Sequence, residues 1–575
     1  MVKIVRNPND SRYIFLVSQE ESDIAQLAAL EKHMNPFQKH TLLATSTLPP
    51  TREIFLDKFR GKDGNWIYYC SAGLWREVFL FFQEKKWSLG AMRIDDEFKY
   101  TKFGMSKDEF KKYVRGWGLN LDPYDYQLDA AWLILRYKLS LSELATRAGK
   151  TLIAYIVFRT AKELLGANKI LMIVPSIHLV KQGVKDLQSY QEYFNTEQIW
   201  AGGEEVSMTD LTIGTFQSLV RRADPRYKNY NPDFFNGYDV ICVDEAHKAP
   251  CKSIKTILAL EAFKRVKLRF GFTGTLPKPG TIESFACQAI LGPKIQEISS
   301  RELIEEGFLA DPIIKQFRIN YAPGSYDAVT VKCAEYLLSN YIKDKKGNRA
   351  LRPIEDREFT MVHDKQLPTA LKSSRGLLED NEYRQYLLTM INKSSKTLNL
   401  EQMVAMFSAN RIELMDRLVT NLNKNVIIFA HNTEYIKYLE EHFTTKFPDR
   451  KVYKIIGATN LKKRQATIDK MTESNNCILI GSFGVIGTGL TFSNVDYGIF
   501  AQSFKADTIT RQSLGRLMLR TQEKSEFYLY DIIDEFPTKK LHNQGLEKVK
   551  IYKAEGHRHE IVKIPAIFRA LNPKQ

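Results

Sequence analysis

Gly149-Lys150-Thr151 enters an apolar stretch from Leu152 to Phe158, and Val240-Ile241-Cys242-Val243 runs into Asp244-Glu245-Ala246-His247. A glycine-lysine-threonine turn that opens a helix lets successive backbone N–H groups face phosphate oxygens. Lys150 then neutralises their charge, and the Thr151 hydroxyl reaches Mg²⁺. The second segment reads as a buried strand ending in two carboxylates. Asp244 would hold the metal through water, and Glu245 would orient or deprotonate the attacking water, which describes nucleoside triphosphate hydrolysis by in-line attack. Two departures mark the first segment: Leu144 replaces the opening glycine of the strict phosphate-loop pattern, and Arg147 stands where a small residue is commoner.

Such groups need a rigid frame, and the chain supplies one. Between residues 122 and 312 apolar strand candidates (Ile170 to Val174, Leu211 to Ile213, Val240 to Val243, Arg269 to Thr273) alternate with segments of helix length. That is the pattern of a doubly wound α/β domain with its chemistry at the carboxyl ends of parallel strands. Strand-like runs return at Val426 to Phe429, Lys451 to Ile456, Cys477 to Ile480 and Tyr497 to Ala501, giving a second α/β domain over 313–535. It carries a charged, poorly periodic insertion near 323–377.

Further segments follow in order: Tyr126-Gln127, Ile173-Val174-Pro175-Ser176, Ile213-Gly214-Thr215-Phe216-Gln217 and Phe272-Thr273-Gly274-Thr275, then Val426 to Ala430, Ile480-Gly481-Ser482 leading to Gly487-Thr488-Gly489, and Gln512-Ser513-Leu514-Gly515-Arg516. The series resembles the superfamily 2 helicases and translocases, and among them the UvsW family of phage branch-migration helicases. The resemblance implies two RecA-like motor domains with ATP and Mg²⁺ as cofactors. Tyr126 and Gln127 would read the adenine, and Thr146, Gly149 and Gly489 would join the nucleotide site. It also implies that Thr215, Gln217 and Thr488 touch the nucleic-acid backbone, and that His247 links the nucleotide to Thr273 and Thr275, which couple hydrolysis to domain movement.

The last motif of the family reads Gln-x-x-Gly-Arg-x-x-Arg, whereas here Leu519 takes the final arginine position and Arg520 follows it. On a helix of about 100° per residue, Gln512, Arg516 and Arg520 share one face. Either arginine could therefore serve the γ-phosphate.

Residues 1–121 read as a small α+β module, with a strand at Trp66 to Cys70 and a helix from Leu74 to Lys86. Its Lys58-Phe59-Arg60-Gly61-Lys62-Asp63-Gly64-Asn65-Trp66 resembles a Phe-Arg-x-Gly-x-Trp region of UvsW-like proteins that is taken to engage duplex or branched DNA, which makes Arg60, Lys62 and Trp66 candidates. A hairpin with solvated charges is the alternative. In the first motor domain, Arg221, Arg222 and Arg226 interleave with Tyr227 and Tyr230, a mixture that suits phosphates and base faces but also suits a solvated loop. Residues 536–575 read as a basic amphipathic helical extension, with Leu541, Leu546, Val549 and Ile551 interspersed.

The 575 residues carry 83 Lys and Arg against 67 Asp and Glu, a net charge of +16 that points to an anionic partner. Composition is that of a globular protein, with 44% hydrophobic and 26% charged residues. The six cysteines lack metal-ligand spacing, so a metal cluster is not expected. No apolar stretch long enough to span a membrane occurs, so the expectation is a cytoplasmic monomer acting on DNA, branched or forked duplex above all. The alternatives are an RNA helicase, the motor subunit of a restriction system, and an annealing protein with weak ATPase activity.

Overall fold

A computed structural model describes residues 2–6, 10, 12–17, 21–35, 37–38, 51–52, 54–61, 66–87, 100–199, 209–322, 325, 327–331, 400–486, 492, 494–504, 507–522 and 524–566. The chain divides into two compact units, 1–299 and 300–575.

The first unit is built on a seven-stranded sheet. From edge to edge its strands are Lys294–Ile298, Leu139–Leu144, Leu268–Thr273, Tyr238–Asp244, Lys169–Val174, Leu211–Thr215 and Thr196–Ile199. Every neighbouring pair is parallel. Helices cover both faces, so the central strands are buried along nearly their whole length and read as continuous apolar runs. All four strands expected in this domain are present. Leu139–Leu144 was not expected, because its sequence, Leu-Ser-Leu-Ser-Glu-Leu, alternates like a half-exposed strand. Both serines are nonetheless buried, and Ser142 accepts from Gln296 Nε2 at 2.8 Å.

An antiparallel four-stranded sheet precedes this domain, in the order Lys3–Arg6, Tyr13–Val17, Trp66–Ser71, Leu56–Arg60. Helices Glu21–Met34 and Trp75–Glu84 accompany it, and the module shares its core with Phe285 of the helix Ile282–Leu291. Gln288 Nε2 donates to Glu77 at 2.7 Å, and the Arg12 guanidinium donates to Ala259 O at 2.5 Å. Residues 100–121 pack instead with the motor sheet: helix Lys107–Arg115 pairs Lys111 with Asp125 (3.2 Å) and Asp129 (2.9 Å) of helix Asp125–Arg136.

The second unit carries another seven-stranded parallel sheet, ordered Lys451–Ile455, Cys477–Ser482, Val426–Ala430, Tyr497–Phe500, Glu526–Glu535, Asp311–Asn320, Arg558–Pro565. The four strands expected here are again present. The carboxyl-terminal helix forms at Lys540–Ala554 with Leu541 and Val549 buried as its pattern predicts, while Ile551 is half-buried and Leu546 is exposed. Beyond it the chain does something the sequence reading lacked: Arg558–Pro565 joins the sheet edge in parallel with Asp311–Asn320. Its alternating charged residues resemble a solvated tail, and only the partner strand reveals the ladder. Most of the expected insertion, and Cys333, lie outside the described residues.

Candidate active site

The site begins where the strand Leu139–Leu144 turns into the helix Lys150–Leu165. Two residues of the turn adopt left-handed backbone, Arg147 at φ 71° and Gly149 at φ 75°. At Gly149 the choice of residue is forced, since a Cβ there would come within 2.1 Å of Gln127 Nε2. Gln127 is buried and donates to Ala148 O at 3.2 Å, the same carbonyl that Tyr126 OH reaches at 3.2 Å. The two residues implied to read the adenine therefore brace the phosphate turn directly. Tyr124, which the sequence reading passed over, stacks on Tyr126 at 5.9 Å and is 52% exposed, offering a ring face beside the turn. Its signal was the aromatic pair two residues apart.

The acidic pair closes the next part of the site. Glu245 adopts left-handed backbone at φ 52°, a conformation costing about 1 to 3 kcal/mol outside glycine. Its own N–H donates to Asp244 Oδ1 at 2.9 Å. Burial pushes Asp244 up to about 6, with the Glu245 charge adding to the rise and Lys150 opposing it. For Glu245 burial works upward too, but the His247 hydrogen bond and the charges of Lys150, His247 and Lys248 overcome it and hold the carboxylate below its ordinary value. Two adjacent buried carboxylates, one held ionised and the other raised by burial and by its neighbour's charge, are a pair whose repulsion a divalent cation relieves. Together with the Thr151 hydroxyl, this donor set fits Mg²⁺.

His247 joins this pair to the turn after the strand Leu268–Thr273. Its Nδ1 lies 2.9 Å from Thr273 Oγ1 and 3.3 Å from Glu245 Oε2. Thr273 Oγ1 donates to Thr275 O at 3.0 Å and accepts from Thr275 N at 3.3 Å, which leaves it an acceptor toward His247 and assigns the imidazole proton to Nδ1. A Cβ on Gly274 would lie 3.6 Å from Thr146 Oγ1 and 3.8 Å from Lys150 Nζ, so this turn rests against the phosphate loop. Glu143 completes the frame by accepting from Leu276 N (3.1 Å) and from Lys294 Nζ (2.6 Å). It too was missed, being one carboxylate within an ordinary strand sequence.

The residues assigned to nucleic acid are placed unevenly. Thr215 is buried and accepts from Ser218 N as the cap of helix Phe216–Ala223, whereas Gln217 is exposed and donates to Pro175 O at 3.4 Å. In the basic loop Arg221 is exposed and Arg222 lies over Phe234 at 5.1 Å. Arg226 is exposed and makes a local pair, its Nε donating to both Asp224 oxygens at 2.9 and 3.1 Å, which the alternation of charge and aromatics concealed. Arg60 and Trp66 face each other across a hairpin, with the guanidinium 5.2 Å from the ring. Lys62, Thr488 and Gly489 lie outside the described residues.

In the second unit Gln512 and Arg516 sit one turn apart on the helix Asp507–Leu517. Arg520 does not extend that face. The helix ends at Leu517, Leu519 forms an antiparallel bridge to Leu309, and the Arg520 guanidinium lies where a Cβ on Gly307 would meet it at 2.7 Å. This places Arg520 beside the amino-terminal starts of strands Asp311–Asn320 and Glu526–Glu535, away from their carboxyl ends. The helix is about one turn shorter than the spacing of Gln512, Arg516 and Arg520 implies.

Residues 120–278 match the family described as type III restriction enzyme, res subunit, and residues 410–519 match the helicase conserved C-terminal domain. The chain thus resembles the superfamily 2 helicases. It is 22% identical over 421 residues to the ATP-dependent DNA helicase uvsW of Enterobacteria phage T4, covering 72% of this chain and 69% of that protein. It is 23% identical over 470 residues to the DNA 3'-5' translocase XPB2 of Sulfurisphaera tokodaii, covering 81% of this chain and 90% of that one. Its fold is similar to that of the type ISP restriction-modification enzyme LlaBIII bound to DNA, with TM-score 0.50 and 13% identity over 79% of this chain and 32% of that one. It is a nucleotide-dependent enzyme that binds nucleic acid. Among the described residues no helix is long and apolar enough to cross a membrane.

Proposed function

We propose that this chain is an ATP-dependent DNA translocase that remodels branched or forked duplex DNA. The observation that carries the reading is the continuous linkage of Lys150, Asp244, Glu245, His247, Thr273 and Thr275 on neighbouring strand ends. Lys150 and the turn N–H groups neutralise the phosphates of ATP, and Glu245, kept ionised by His247, accepts the proton of the attacking water. Thr151 and Asp244 would hold Mg²⁺, which when bound would supply positive charge to offset the negative charge of the phosphates. Arg516, by the family resemblance, is the cation that stabilises the charge developing on the transferred phosphoryl group.

His247 gives the chemistry a mechanical output. Loss of the γ-phosphate changes the charge that Glu245 faces, and the imidazole passes that change to the Thr273–Thr275 turn. Nucleic acid that favours the state this turn adopts with ATP must in return strengthen ATP binding, since coupling between two binding events is reciprocal. DNA as the substrate is supported by the two relatives named as a DNA helicase and a DNA translocase, and by the net charge of +16. The contacts expected are to the backbone, because a motor must pass over any sequence.

The test is conversion of a synthetic four-way junction to linear duplex arms by the full chain with ATP and Mg²⁺. The reading expects conversion with ATP and none with a non-hydrolysable analogue. Hydrolysis stimulated by DNA without any change in the junction would leave a translocase and remove the remodelling role.

A further inference from the structure

The helix Lys540–Ala554 and the strand Arg558–Pro565 follow every motif described above, and the reaction as derived gives them no part. Their contacts suggest one. The helix lies so close to the sheet that a Cβ on Gly545 would come within 2.9 Å of Ile533, and Gln316 Nε2 donates to Gly545 O at 3.2 Å. On this buried face sits Lys548, 1% exposed and ion-paired with the fully buried Asp531. Asp531 also accepts from Gln316 Nε2 at 2.9 Å and Tyr552 OH at 3.0 Å. Burial works against the lysine's charge and lowers its pKa from the ordinary value, while Asp531 opposes that fall.

An uncharged side chain of the same length would fill this space without the desolvation cost, so packing alone does not account for a lysine here. What the ammonium touches is informative. It lies 5.5 Å from the Phe500 ring and 5.0 Å from the Phe504 ring, within cation–π range. Phe500 ends the strand Tyr497–Phe500, and Phe504 lies in the connection from that strand to the arginine-bearing helix Asp507–Leu517. The Phe504 ring also packs on Phe483 at 4.2 Å, at the start of the helix that leads toward Gly487-Thr488-Gly489. A second contact holds the arginine helix itself: Arg511, adjacent to Gln512, is ion-paired with Glu555, the residue that caps the C-terminal helix.

We propose that the C-terminal helix is a positioning device for hydrolysis, in which Lys548 holds Phe504 and Glu555 holds Arg511, and the two contacts together fix how Gln512 and Arg516 are presented. Lys548, Glu555 and Arg511 are positioning residues, and the reacting atoms are touched by others. The proposal rests on the hydrolysis reading above, and its test separates the two.

The experiment measures DNA-stimulated ATP hydrolysis by the full chain, together with the melting midpoint and DNA affinity without nucleotide. Lys548→Met is expected to lower kcat by about tenfold or more while KM for ATP and DNA affinity stay within about threefold, because an interaction felt in the transition state has been disturbed. Glu555→Gln should lower kcat as well, and the exchanged pair Arg511→Glu with Glu555→Arg should regain at least about half of the rate. In single-turnover measurements, adding Lys548→Met to Arg516→Ala should cause no further loss, since the lysine acts through that arginine. A folded Lys548→Met protein with unchanged kcat would overturn the proposal, as would full multiplicative loss in the double variant. If Lys548→Met does not fold, the exchanged pair decides, and its failure to recover over Glu555→Gln overturns the clamp. Normal hydrolysis by Arg516→Ala would instead overturn the role given to that arginine, and the clamp with it, whatever the C-terminal variants do.

Discussion

His247 Nδ1 meets Thr273 Oγ1 at 2.9 Å, and that hydroxyl in turn binds both the C=O and the N–H of Thr275. One imidazole thus stands between the carboxylate that handles water and the turn that rests on the phosphate loop. His247→Ala is expected to keep nucleotide binding and to lose DNA stimulation of hydrolysis by about tenfold, with unwinding per ATP falling further. Measuring strand separation and phosphate release in the same reaction checks this. A variant that unwinds as many base pairs per ATP as the wild type would break the proposed link.

The end of the helix at Leu517 separates the two candidate arginines. Arg516→Ala is expected to lower kcat by at least about tenfold with DNA affinity nearly unchanged, as for a group that acts in the transition state. Arg520→Ala, at an exposed position against Gly307, should hydrolyse ATP at nearly the wild-type rate. The reverse pattern would return the task to Arg520.

Much of this was legible in the sequence, and the exceptions share a cause. Strands buried on both faces announce themselves as apolar runs, as Lys169–Val174 and Val426–Ala430 do. Leu139–Leu144 and Arg558–Pro565 did not, because buried serines and alternating charges imitate exposed structure until the partner strand is known. Residues defined by local order, such as Lys150, Glu245 and His247, could be singled out from the sequence, and the structure brings them together. Those defined by particular contacts, Glu143 across the fold and Tyr124 and Arg226 with partners two residues away, were not.

Asp327 offers a test of the second unit's core. Burial pushes its carboxyl up to about 7 despite hydrogen bonds from Ser408 and Asn410. The unfolded chain releases this proton near the ordinary value of 3.8 while the folded chain keeps it. Stability should therefore fall as pH rises between those two values and level off above the higher one. Asp327→Asn should flatten that slope and gain on the order of a few kcal/mol over the wild type at alkaline pH. Denaturant titrations across the pH range check it, and parallel slopes for both proteins would refute the assignment.

The amino-terminal module shares Phe285 with the motor core, so deleting it would strip a buried ring and confound any functional test. Point variants avoid this. Arg60→Ala and Trp66→Ala, at a hairpin where Trp66 is 40% exposed, are expected to leave hydrolysis on single-stranded DNA within about twofold and to reduce preference for forks by about tenfold. Equal preference in wild type and variants would move the selector elsewhere.

In the proposed function, ATP hydrolysis at Lys150 and Glu245 is coupled to DNA. Steady-state hydrolysis with single-stranded DNA, duplex, forked DNA and RNA of equal length tests it most directly, with Lys150→Ala and Glu245→Gln as controls. The expected result is strong stimulation by DNA, greatest for the fork, with both variants reduced by at least about a hundredfold and Glu245→Gln still binding ATP. Stimulation by RNA alone, or hydrolysis by Glu245→Gln within a few-fold of the wild type, would contradict it.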